Sequence, residues 1–431
     1  VLNHACGCLN GAGVSVIEMS IAGLASSFQD DEVVYLAGSC GESTELSAAL
    51  ADPAAEVANA HFVTSFVPGI NGVCLAQPDR RSRMSVFFMQ RGFTAARAED
   101  RIDFRPLSYF GIHRYLSDAK TRLDTAVVQV SPPDARGMCS LGPAVEFMPA
   151  VMTRVTRRVA IINSNVPRLR GSVSVPLETF HAVARSEAPL ATYDVGAASA
   201  AAARVVAHLT PLIPHGATVQ IGLGKIPSQL LDALTQHREL ALHTGMVSDA
   251  TLRLAEAGAL RRRRPIMTGV AVGGSAFYPR LARLPGLKFA AVGHTHAPLT
   301  LAALSKFHAV NSALEVDLLG QVNAETLDGR YVSGPGGLPD FAHAAHRDPE
   351  GLSIIALSST DAGGTMSRIV ARLAPGTPVT VPQHDVDAVV TEYGVALLRG
   401  QPLDVRVGRL CAIAHPDHRP ALEKASRELL R

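Results

Sequence analysis

An imidazole, a hydroxyl and a bare backbone stand side by side at His243, Thr244 and Gly245, directly after the aliphatic run Leu240, Ala241 and Leu242. A short buried strand ending in such residues presents them to a pocket, and a histidine there can move protons near neutral pH. His294 and His296, in "FAAVGHTH", are the other candidate bases. Glycine turns close several apolar runs: Gly222 and Gly224, Gly273 and Gly274, then Gly334, Gly336 and Gly337, then Gly363 and Gly364. Glycines at the carboxyl ends of parallel strands let a ligand approach backbone N–H groups, and helix starts there favour anions or developing negative charge. A thioester carbonyl under attack is one group that such donors stabilise.

Other patterns fail on spacing. "GLGKIPS" lacks a Ser or Thr directly after Lys225, and Val219 stands where a phosphate loop needs its first glycine. Pro227 occupies the place of the third glycine of a dinucleotide fingerprint. "GGSAF" has Phe277 where a nucleophile elbow closes on glycine. The short pairs His294/His296, His343/His346 and His415/His418 have no cysteine or carboxylate array at zinc spacing, so no metal is expected.

The elements that must position these residues read as α/β. "EVVYLAG" (Glu32 to Gly38), "TAVVQVSPPDARG" (Thr125 to Gly137) and "RVAIINSNVP" (Arg158 to Pro167) are β-branched runs that stop at turn residues. Ala-rich helical segments such as Thr44 to Ala51 lie between them. The second half restarts with a long helix, "AASAAAARVVAHLTPLI", and then a strand, a glycine turn and a helix in "ATVQIGLGKIPSQLLDAL". Further strands are expected in "IMTGVAVGG", "FAAVGH", "HAVNSALEVDLLG", "LSIIALS" and "AVVTEYG". At 431 residues the chain exceeds one ordinary core. The strand rhythm lapses over 176–196, which places two α/β domains at 1–186 and 187–431.

Hydrophobic residues make up 47 % and charged ones 18 %, with no tryptophan, a composition suited to buried parallel sheets. A formal net charge of +2 argues against a nucleic-acid surface, and Arg261 to Arg264 reads as a solvated helix end or loop. The cysteines (Cys6, Cys8, Cys40, Cys74, Cys139 and Cys411) are scattered and read as reduced thiols. No apolar run approaches the roughly 18 residues of a membrane span, and the N-terminus lacks a signal-peptide layout. A cytoplasmic enzyme is the expectation.

Longer motifs are more specific. "VQIGLGKIPSQLLDAL", "LALHTGMVSD", "VNSALEVDLLGQVNAETLDGRYVSGPGGLPDF", "SRIVARL" and "DAVVTEYGVALLRG" resemble the acetyl-CoA hydrolase/transferase family, which includes class I CoA-transferases such as 4-hydroxybutyrate CoA-transferase. "AGSCGES", "FVPGIN" and "VSPPDARGMCSLG" extend the likeness to the first half. The resemblance implies two tandem CoA-transferase-like domains, each with a mostly parallel sheet covered by helices. It also implies acyl-CoA as substrate, no tightly bound cofactor, and a homodimer or larger homo-oligomer. It assigns the oxyanion hole to the N–H groups of Leu223 and Gly336. Gly273, Gly274 and Ser275 match the loop near the CoA pantetheine. Gly222, Gly224, Gly334 and Gly337 belong to the ligand turns, and Asn311, Glu315 and Glu392 to motifs that line or brace the site.

In that family the motif at "HTGM" resembles His-Thr-Glu, and its glutamate forms an acyl anhydride and then a glutamyl-CoA thioester. Here the glutamate position is Gly245. Covalent catalysis by a carboxylate requires a carboxylate. The expectation is an acyl-CoA-dependent enzyme, of the kind found in secondary metabolism, in which a small amine, hydroxyl or carbon acceptor attacks the thioester directly. His243, His294 or His296 would serve as base. Two alternatives stand beside it: conventional CoA transfer or hydrolysis on another carboxylate, Glu315 first, and silent binding of acyl-CoA.

Overall fold

The computed structural model describes residues 16–55, 57–76, 82–196, 199–263 and 266–431. Cys6, Cys8 and Arg264 lie outside the described residues, and among the described residues Cys40, Cys74, Cys139 and Cys411 form no disulfide. The chain divides into two units. One gathers 1–107, 111–193 and 269–293; the other gathers 108–110, 194–268 and 294–431. The long break thus follows Tyr193, where the sequence suggested 186/187, and residues 269–293 return to the first unit.

The first unit is built on eight strands: β1 (Ile17–Met19), β2 (Val33–Leu36), β3 (His61–Thr64), β4 (Arg83–Val86), β5 (Ile102–Phe104), β6 (Thr125–Val130), β7 (Arg157–Asn163) and β8 (Ala182–Ser186). They lie in the order β1-β8-β7-β6-β2-β3-β4-β5, with every pairing parallel. β2 and β6 are buried at every position, which is why they read as unbroken apolar runs rather than alternating ones. The turn after β2 requires glycine: a Cβ on Gly38 would lie 1.8 Å from the Ser65 carbonyl oxygen. The returning segment 269–293 is hydrogen-bonded into this unit. The Gly269 carbonyl accepts from the N–H groups of Val145 and Glu146, both at 3.1 Å. Phe289 N–H donates to the Gly171 carbonyl at 2.8 Å.

The second unit holds a six-stranded sheet: β9 (Thr218–Ile221), β10 (Ala241–Leu242), β11 (Phe307–Asn311), β12 (Leu352–Ala356), β13 (Ala388–Thr391) and β14 (Gly394–Leu397). The order is β10-β9-β11-β12-β13-β14, parallel except for the closing β13-β14 hairpin. Its helices include α1 (Ala200–Leu209), α2 (Lys225–Ala233), α3 (Asp249–Glu256), α4 (Pro298–Ala302) and α5 (Leu338–Arg347). α1 begins only where Ser199 caps it by accepting from Ala202 N–H, and a 3-10 turn at Thr210–Leu212 carries Pro211 past its end. α3 opens on a capping box of Ser248 and Thr251. "FAAVGH" departs from expectation: the strand is Leu287–Phe289, and Val292–Thr295 is a helical turn. Val292 N–H is drawn instead to the Glu146 carbonyl at 2.9 Å.

Asp387, fully buried before β13, ties several elements together. Its carboxylate takes Arg399 Nε at 2.8 Å and Nη2 at 2.6 Å, His346 Nδ1 at 2.8 Å and Ser353 N–H at 2.8 Å. His343 likewise pairs with Asp385 at 3.0 Å. Among the described residues no helix is long and apolar enough to cross a membrane.

Candidate functional site

β10 is two residues long, and the backbone after it is pinned on both sides. His243 N–H donates to the Val219 carbonyl at 3.1 Å and Thr244 N–H to the Met267 carbonyl at 3.0 Å. The Thr244 hydroxyl donates to the Ile221 carbonyl at 2.7 Å, and Gly245 accepts from Thr268 Oγ1 at 3.2 Å. Gly245 is therefore held at the carboxyl end of the sheet, beside the turn that follows β9.

A methyl group placed on Gly245 would face the His296 ring, 3.4 Å from both Cε1 and Nε2. The Gly245 φ lies outside the left-handed range, so neither backbone strain nor a hard clash demands glycine there. Gly337 differs: its Cβ would stand 2.8 Å from His296 Nε2 and 3.0 Å from Phe341 Cε2. The Nε2 edge of His296 thus faces two bare backbone positions at once.

The imidazole of His296 is held by three neighbours. Tyr109 packs near one side with ring centroids 5.0 Å apart, and Phe341 lies 4.5 Å away. Nδ1 meets Thr295 Oγ1 at 2.9 Å. Burial, then the neighbouring His243, push its pKa down to about 3, so the ring is neutral. His243 donates Nε2–H to the Thr295 carbonyl at 2.7 Å, and burial lowers its pKa as well. His294 stands exposed on the same helical turn, close enough for its charge to act on His243.

The glycine turns expected to meet ligand sit at helix starts. Gly222, Leu223 and Gly224 precede α2, whose first-turn N–H groups have no intrahelical acceptor. Gly334, Gly336 and Gly337 precede α5; Gly336 takes a left-handed φ of 59° and its carbonyl accepts from Tyr109 N–H at 2.9 Å. Asn311 and Gln220 exchange amide hydrogen bonds of 2.9 and 3.2 Å at the ends of β11 and β9. Glu315 accepts from Asn323 Nδ2 at 2.9 Å. Glu392 accepts from Ser359 N–H and Oγ–H at 2.9 and 2.8 Å, a bracing arrangement. Gly273, Gly274 and Ser275 belong to the first unit, where Ser275 lines a cavity of about 340 Å³ with Ser164 and Asn165 beyond β7.

Three residues escaped the sequence reading. Tyr109 and Phe341 flank His296, and Asp340 anchors 108–110 by accepting Ser108 Oγ–H at 2.8 Å and Phe110 N–H at 3.0 Å. Burial raises the Asp340 pKa to about 6. A carboxyl in the first helical turn after two glycines was the available signal, although such residues usually serve only the helix dipole.

Comparison with known proteins agrees across both units. The acetyl-CoA hydrolase/transferase N-terminal domain matches residues 17–191, and the C-terminal domain of that family matches 273–426. A succinyl-CoA:acetate/propanoyl-CoA:succinate CoA transferase of Fasciola hepatica is 33 % identical over 77 % of this chain and 71 % of its own. The crystal structure of RipA from Yersinia pestis superposes with a TM-score of 0.88 at 26 % identity, over 96 % of this chain and 97 % of that one. A 4-hydroxybutyrate CoA-transferase from Porphyromonas gingivalis gives 0.77 at 27 % identity, over 95 % and 97 %. With strands, glycine turns and both domain families in agreement, the chain belongs to the acetyl-CoA hydrolase/transferase family of enzymes.

Proposed function

We propose that this enzyme transfers the acyl group of a CoA thioester directly to a small acceptor, without a glutamyl-enzyme intermediate. The observation that carries the reading is His296 facing Gly245: a neutral imidazole stands where a nucleophilic side chain would project. The backbone N–H groups of Leu223 and Gly336 would hold the thioester oxygen as it gains charge. The acceptor's nucleophilic atom forms the new bond to the acyl carbon, and the carbon–sulfur bond breaks. The acceptor's proton passes to His296 Nε2 and on to the departing thiolate. A ring whose conjugate acid lies near 3 is a weak base but a ready donor, so it releases that proton at once. CoA is substrate here rather than a resident cofactor, and the expected assembly is a homo-oligomer in the cytoplasm.

Three measurements test this. Intact-mass analysis after incubation with acyl-CoA should show no glutamyl-CoA adduct, and CoA release should require an added acceptor. His296→Ala should slow that release by about 100-fold. Gly245→Glu should gain acyl-CoA:carboxylate exchange only when His296→Ala clears the space. A covalent adduct on Glu315 or another carboxylate of the parent chain would overturn the reading.

A further inference from the structure

His296 also lines a cavity of about 410 Å³ between α4 and α5. Its apolar walls come from Pro298, Leu301 and Ala302 on one side and Pro339 and Ala344 on the other. One face of α5 supplies most of its polar groups, because 340, 343 and 347 recur at helical spacing. A largely apolar pocket with a few convergent polar groups is the usual form of a small-molecule site.

The polar groups are ordered along the helix. Asp340 stands in the first turn of α5, the end at which His296 meets Gly337 and Phe341. Each of its carboxylate oxygens accepts one hydrogen bond from 108–110, leaving lone pairs for another donor. In the middle, His343 and Asp385 satisfy each other. Arg347 stands exposed in the last turn, about 10 Å along the axis from Asp340 at the α-helical rise. The cavity is therefore negative at its Asp340 end and positive at its Arg347 end, with the His343–Asp385 pair and the apolar walls between.

We infer that this cavity is the acceptor subsite of the proposed acyl transfer, and that it takes a small ω-amino acid. The ammonium lies toward Asp340 and the carboxylate toward Arg347, with the apolar chain along Leu301 and Ala344. This rests on the acyl-transfer reading and names its acceptor. The ammonium gives one proton to Asp340, whose raised pKa suits it to that exchange. As the carbon–nitrogen bond forms and the carbon–sulfur bond breaks, the second proton goes to His296 and then to the CoA thiolate. The products are an amide and CoA, Asp340 returns its proton to solvent, and no further reagent is consumed.

The test is calorimetric binding of 6-aminohexanoate to the full chain at neutral pH, beside hexylamine and hexanoate, each of which lacks one end. The zwitterion should bind about tenfold tighter than either. Arg347→Met should reduce it to the affinity of hexylamine, and Ala302→Phe, on the exposed side of the cavity, should abolish binding by filling it. Binding should weaken as pH falls through about 6, where Asp340 takes up a proton. No binding, equal affinities for the three probes, or binding untouched by both variants would overturn the inference. CoA release from acetyl-CoA, measured in parallel, separates the two claims. Release that depends on His296 but not on the cavity leaves the reaction standing and removes this subsite. Binding without release removes the reaction and leaves the subsite.

Discussion

A methyl group would cost different amounts at Gly245 and at Gly337. At Gly337 it would press on a ring already held by Tyr109 and Phe341, so Gly337→Ala should destabilise by about 1–3 kcal/mol. At Gly245 the contact is ordinary and the backbone unstrained, so Gly245→Ala should stay within about 0.5 kcal/mol in urea denaturation. Equal losses would mean that His296 does not stand between them. The same ring sets a pH dependence. Its folded pKa is depressed to about 3, so the unfolded chain binds the proton first. Stability from this residue is full above about 6.5 and falls as pH drops toward 3. His296→Asn should flatten the denaturation midpoint over that window; an unchanged slope would show the ring to be solvated. The candidate histidines and glycines stand out in the sequence because glycine turns after apolar runs are local signals. Tyr109 could not, since it reaches His296 from the opposite half of the chain and only the fold brings them together, and a carboxyl in a first helical turn was all that marked Asp340.

At the scale of elements, the second unit is held by polar clamps as well as by its apolar core. Asp387 joins the end of α5, the start of β12 and the β13-β14 hairpin through Arg399, His346 and Ser353. Asp387→Ala leaves the Arg399 guanidinium without its bidentate partner, and should cost about 3–5 kcal/mol by chemical denaturation. A loss below about 1 kcal/mol would mean that water replaces the carboxylate freely. The main strands were readable because parallel strands covered on both faces are short β-branched runs. The two-residue strand β10, the turn at Val292–Thr295 and the Asp387 clamp were not. Their form is decided by partners far along the chain, such as Val219 for His243 and Glu146 for Val292.

For the whole molecule, the expected homo-oligomer is checked by light scattering at micromolar concentration, where a clean monomer would refute it. The alternation of strands and helices made two α/β units readable, but not the route of the chain between them, because nothing local marks 269–293 as a return. That return has a consequence for biosynthesis. The ribosome delivers residues 194–268, which include β9, α2 and β10, before the segment that completes the first unit. At ordinary elongation rates, the hundred or so residues from Asp194 to Gly293 take on the order of ten seconds to appear. Until then Val145, Glu146 and Gly171 have not met their partners in 269–293. The first unit should stay protease-sensitive in stalled chains ending near residue 268 and become resistant only when 269–293 has cleared the tunnel. Limited proteolysis of ribosome-bound chains would show that step, and early resistance would mean that the eight-stranded sheet closes without the returning segment.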